Sequence, residues 1–180
     1  MTHRKLLLLV LSFFVLGIVV STSCGCSETS STPIQNENLE FGPPGMEIAG
    51  DVYGLDGNND GTISTIRFNV LMNSEGQSID FRTVDVEFAT VHSYGTLSKS
   101  SPLLVSSDSM ISSGEWAILN STSSADYSLT SGEVFTIFAK PSSPLDANTQ
   151  FNLFLEPSED YRVALIRTTP PTIDSVNLLS

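Results

Sequence analysis

From Met46 onward, apolar and polar residues alternate along most of the chain. Ile66, Phe68, Val70 and Met72 alternate with Arg67, Asn69 and Leu71, and Val84, Val86 and Phe88 alternate with Asp85, Glu87 and Ala89. A period of two places every second side chain on the same face, the signature of a strand with one side buried. The same reasoning predicts strands at Glu47–Tyr53, Leu103–Val105, Glu115–Leu119, Glu133–Ala139, Gln150–Leu155 and Tyr161–Arg167. Between them lie turn-forming clusters such as Asn73-Ser74-Glu75-Gly76, Thr130-Ser131-Gly132 and Pro141-Ser142-Ser143-Pro144. About eight short strands at regular spacing predict an all-β fold, an immunoglobulin-like antiparallel β-sandwich, with a closed barrel as the second choice.

The first 26 residues follow a different pattern. Arg4 and Lys5 precede an unbroken run from Leu6 to Val20, 15 residues with Ser12 and Gly17 inside it, followed by Ser21, Thr22 and Ser23. This is the layout of a secretory signal, and the run is shorter than the roughly 20 residues of a comfortable membrane span. A short hydrophobic helix serving as signal peptide or membrane anchor is the expectation. Cys24 and Cys26 are candidate lipidation sites, with simple cleavage or retention as an uncleaved anchor as the alternatives. A bridge between cysteines two residues apart rarely reaches unstrained geometry, so the exported part has no disulfide framework. Residues 27–45, rich in Ser, Thr, Asn, Glu and Pro, read as a flexible tether. Residues 46–180 form the folded domain.

All twenty acids lie after the head. Residues 27–180 hold six Lys and Arg, the other two being Arg4 and Lys5, so their formal charge is 6 − 20 = −14. Such a surface repels nucleic acid, which is excluded as a partner, and it suits an extracellular setting where ions screen the repulsion.

One loop has the spacing of a calcium ligand set. In Asp56-Gly57-Asn58-Asn59-Asp60-Gly61-Thr62-Ile63, oxygen donors at Asp56, Asn58 and Asp60 alternate, Gly61 makes the turn, and Thr62 offers its carbonyl. The twelfth position, where an EF-hand places a bidentate Glu, is Arg67. The loop is therefore either a weak calcium site completed from elsewhere, calcium being the one candidate cofactor, or an acidic turn between two strands.

Catalytic constellations are thin. Beyond the head there is a single histidine, His92, and no cysteine past Cys26, no G-x-S-x-G and no H-E-x-x-H. His92 reads as a surface or rim residue. Carboxylate pairs such as Glu156 with Asp160 arise by chance in so acidic a domain. The chain reads as a non-enzyme. Asn120-Ser121-Thr122 is a glycosylation sequon at Asn120. Trp116, Phe135, Phe138, Phe151 and Phe154 are expected in the core.

Several segments also resemble a known family. Met46 to Gly54, the strand Ile66–Met72 and Gly76-Gln77-Ser78-Ile79-Asp80-Phe81 are similar to the opening of the outer domain of archaeal flagellins, the archaellins. Leu129-Thr130-Ser131-Gly132-Glu133-Val134-Phe135 resembles their Leu-x-x-Gly-Glu-x-Phe turn and strand. Phe151–Pro157 and Val163–Pro170, with Arg167-Thr168-Thr169-Pro170 and then Ile173-Asp174-Ser175-Val176, resemble their closing pair. The resemblance implies a β-sandwich displayed on a cell-surface motility filament, with N-linked glycan at Asn120. It also implies other copies of the chain or filament proteins as partners. The head departs from the family pattern. Archaellins have a leader cut after a basic residue and Gly, then a long helix, whereas here Lys5 meets Leu6 directly and the apolar run ends at Val20. A membrane- or lipid-anchored binding module contacting surface-layer protein or glycan is the alternative function.

Overall fold

The computed structural model describes residues 45–120 and 126–180, so the predicted head, the tether and Ser121 and Thr122 of the sequon lie outside the described residues. The described residues form eleven strands: β1 Met46–Leu55, β2 Thr65–Met72, β3 Ser78–Asp80, β4 Asp85–Thr90, β5 Tyr94–Val105, β6 Glu115–Leu119, β7 Ser128–Thr130, β8 Val134–Lys140, β9 Gln150–Ser158, β10 Tyr161–Thr168 and β11 Val176–Leu178. Nine of them join one sheet in the order β10-β9-β4-β5-β6-β8-β2-β1-β11, and β3 pairs with β7.

β5 is the strand on which the sheet curls. Its first residues, Tyr94 to Leu97, pair with β4, and Ser98, Lys99, Leu104 and Val105 pair with β6, with a register shift between Lys99 and Leu104. The two halves thereby face each other across one core. Phe88, Phe151, Leu153, Leu155 and Val163 come from one half, and Ile66, Phe68, Val70, Trp116 and Ile137 from the other. The alternation in β2 is reproduced side chain by side chain, with Ile66, Phe68, Val70 and Met72 all 1 % exposed or less. The all-β sandwich is as expected, with one departure in detail. β5 and β6 run parallel, because residues 106–114 return the chain along the outside of the sheet. That return covers a second, smaller core in which Ile111 packs with Val105, Ala117 and Phe138.

The β3–β7 pair lies beside the main core. Leu129 and the adjacent Phe81 are fully buried, and the Phe81 ring meets Phe135 and Trp116 edge-on at 5.1 and 6.4 Å. The chain's end adds a further closure. Leu179 is buried, its N–H donates to the Val52 carbonyl at 2.9 Å, and the Thr168 N–H donates to the Ser180 carbonyl at 2.6 Å. The last residues thus link β1 on one flank to β10 on the other. Among the expected core aromatics, Phe154 differs: it sits half-buried on the outer face, with the Arg162 guanidinium 4.6 Å above its ring. Its neighbours Leu153 and Leu155 occupy the inner face, so the strand period sends Phe154 outward.

The register fixes two ends. Thr65 pairs with Leu55, Ile66 with Ala139, Thr90 with Phe151 and Thr168 with Gln150, so loops 56–64, 91–93, 141–149 and 169–175 gather at one end. Met46, paired with Met72, opens β1 at the other. A strand of this length separates the ends by about 30 Å.

Candidate functional site

The loop after β1 is organised around the Asp56 carboxylate, which is 6 % exposed. Its Oδ2 accepts the Gly61 N–H at 2.8 Å, and its Oδ1 accepts the N–H groups of Asn58 and Asp60, each at 3.2 Å. Left-handed backbone at Asn59 (φ 54°) and Gly61 (φ 80°) turns these amides inward. Ser64 Oγ accepts the Gly57 N–H at 3.2 Å and donates to the Leu55 carbonyl, tying both ends of the loop together. Partial burial pushes the Asp56 carboxyl up, and the bonds from Gly61, Asp60, Asn58 and Asn59 together outweigh it, leaving the group below the ordinary aspartate value. Asp60 turns to Thr62 instead, accepting its N–H at 3.0 Å. Asn58 and Asp60 are exposed and Thr62 half-buried. The predicted ligands share one turn, with Asp56 engaged by backbone amides. Arg67, at the twelfth position, stacks its guanidinium 4.7 Å over the Tyr53 ring. Among the described residues, no group of three or more His, Cys, Asp or Glu side chains is arranged to hold a metal ion.

The other candidates lie apart from this loop. Asn120 is exposed just after β6, its N–H donating to the Val105 carbonyl at 2.7 Å. Cys24 and Cys26 lie outside the described residues. His92 is exposed in the β4–β5 turn. Glu156 is ion-paired with Arg162, which also approaches Glu87 at 3.5 Å, while Asp160 sits in the β9–β10 turn. Glu156 and Asp160 therefore do not form the facing pair that glycosidic acid–base work requires.

Each of the six cations of the domain is engaged locally. Arg82 bridges Asp80 at 2.6 Å, Lys99 bridges Asp85 at 2.9 Å, and Arg162 serves Glu156 and Glu87. Lys140 Nζ donates to the Ile111 carbonyl, Arg167 to the Ile166 carbonyl, and Arg67 lies on Tyr53. Most of the acidic surface is left uncompensated. One feature escaped the sequence pattern altogether: a cavity of about 350 Å³ at the loop end, between the β4–β5 turn and loop 141–146. Its sequence mark is Gly95, a glycine inside a strand opposite Phe88.

No family model matches the chain, and no curated protein matches it. Solved structures do. The chain is similar to archaeal flagellin FlaB1 from Methanocaldococcus jannaschii, with a TM-score of 0.60 and 12% identity over 76% of this chain and 97% of that one. It is also similar to the archaeal flagellum of Methanospirillum hungatei, with a TM-score of 0.53 and 15% identity over 76% of this chain and 71% of that one. At such identities the likeness concerns the fold. The likeness to these two structures makes this an archaellin-like fold.

Proposed function

We propose that the chain is a non-enzymatic structural protein of the archaeal cell surface, a subunit or accessory of the motility filament, the archaellum. The observation supporting this reading is the archaellin-like fold, found both in a flagellin and in a flagellum at coverage of most of each chain. The family-like segments at Met46–Gly54 and Arg167–Val176 point the same way. In this reading the acidic domain faces the medium, the apolar head makes contacts with other copies or filament proteins, and Asn120 is a glycan acceptor on an exposed strand end.

The head favours a second reading. An apolar run of 15 residues spans about 22 Å as a helix, and it is followed by Cys24 and Cys26. A lipid- or membrane-anchored module touching surface-layer protein or glycan would be built this way. The mature N-terminus separates the two. Mass spectrometry of the protein isolated from its own cells should find cleavage near Lys5 with Leu6–Val20 retained. A lipid-bearing N-terminus at Cys24 or Cys26 would instead establish the anchored module and remove the filament role.

A further inference from the structure

We infer that the cavity at the loop end is a binding site for a neutral, hydroxyl-rich ring, a sugar residue. The inference rests on the cavity alone and holds for either cellular role.

The cavity exists because of Gly95. Residues Phe88 and Gly95 are paired across β4 and β5, and strand partners share a face. Phe88 turns inward, so the position of Gly95 also faces the core side, yet an added Cβ there would meet no atom within 4 Å. A missing side chain at an inward position of a strand leaves an opening down to the core. Its floor is apolar: Phe88, Leu97, Pro141 and Leu145 are all buried. Its rim is hydroxylic and exposed, with Ser93, Ser142 and Ser143, joined by the His92 imidazole and the Asp146 carboxylate.

That lining selects a class of ligand. No Lys or Arg takes part in it, and the Asp146 carboxylate together with the acidic surface disfavours an anion. A wholly apolar ligand would cover rim hydroxyls without replacing their water, a desolvation penalty. A sugar ring has an apolar face for Phe88 and Leu145 and a hydroxyl edge for the serines, His92 and Asp146. About 350 Å³ lies within the usual range of small-ligand sites. The cavity also opens at the end opposite Met46, where the preceding chain enters.

The test is titration of the ¹⁵N-labelled full chain, held in a sugar-free zwitterionic detergent, with glucose, galactose, mannose and N-acetylglucosamine up to tens of millimolar. N-acetyltyrosinamide is titrated in parallel as a mimic of a protein side chain. At least one sugar should shift the amides of Thr90, His92, Gly95, Ser142 and Asp146 with saturation. Gly95→Val should abolish the shifts without lowering the melting temperature, because the added Cβ enters open space and a β-branched residue suits a strand. Should that variant melt lower, Asp146→Asn, at an exposed position, should still weaken binding several-fold. Silence toward all four sugars, shifts that survive Gly95→Val in a folded protein, or a response to the tyrosine amide alone would each overturn the assignment.

Discussion

Asp56 shows how one residue can satisfy a motif for two different physical reasons. The calcium pattern needs oxygens at alternate positions, and an aspartate that collects its own downstream amides needs the same short, flexible, Asn- and Gly-rich spacing. Here the Asp56 oxygens accept the N–H groups of Asn58, Asp60 and Gly61, a fact of orientation that no residue string displays. Asp56→Ala should therefore lower the melting temperature, and millimolar calcium should not raise that of the wild type. A calcium-dependent rise that vanishes in Asp56→Ala would make the loop a metal site. The pH dependence has a definite sign. Asp56 and Asp80 are both held below the ordinary aspartate value, Asp80 chiefly by the Arg82 side chain and then by the Arg82 N–H. A carboxylate depressed in the fold stabilises it above its unfolded value, near 4, and that stabilisation fades as pH falls through the folded value. The stability gap between wild type and Asp56→Asn should be constant at neutral pH and shrink below about pH 4, as urea melts across an acid series would show. At Asn120, Asn120→Gln should remove any glycan mass from protein expressed in its own host.

Among the elements, legibility followed the amount of apolar patterning. β6 has the bounds expected of it, Glu115–Leu119, and β2 and β8 were placed to within a residue, since each alternates over several positions. Of β5 only Leu103–Val105 was legible, because Tyr94-Gly95-Thr96-Leu97-Ser98-Lys99-Ser100-Ser101 offers one buried apolar side chain, Leu97. The bend of the sheet and the first part of the parallel pairing to β6 lie in that polar stretch, so the architecture turns on the least patterned strand. β3, β7 and β11, of three residues each, are too short to show a period. β11 nevertheless closes the fold: besides buried Leu179, the Asn177 side chain donates to the Gly54 carbonyl at 3.2 Å. Leu179→Ala should destabilise by about 2–5 kcal/mol, the usual range for truncating a buried leucine. Deleting residues 176–180 should do more, through the lost strand. Chemical denaturation measures both, and a wild-type midpoint after the deletion would show that the terminal strand does not close the sandwich.

At the scale of the whole molecule, charge decides how copies can meet. With a formal −14 on residues 27–180 and the six cations engaged internally, domains repel at low ionic strength, and the repulsion weakens as the screening length falls from about 30 Å at 0.01 M salt to about 3 Å at 1 M. Self-association of the full chain, followed by sedimentation, should rise with salt. Assembly that weakens with added salt would indicate contacts through opposite charges instead. The proposed filament role is argued from the archaellin-like fold, while the proposed sugar site concerns a separate feature of the same domain. The most direct measurement is electron microscopy of filaments sheared from the cells that make this chain, labelled with antibody against the domain from Met46 to Ser180. Gold along the filament shaft is the predicted result. Bare filaments, with label confined to the cell envelope, would contradict it.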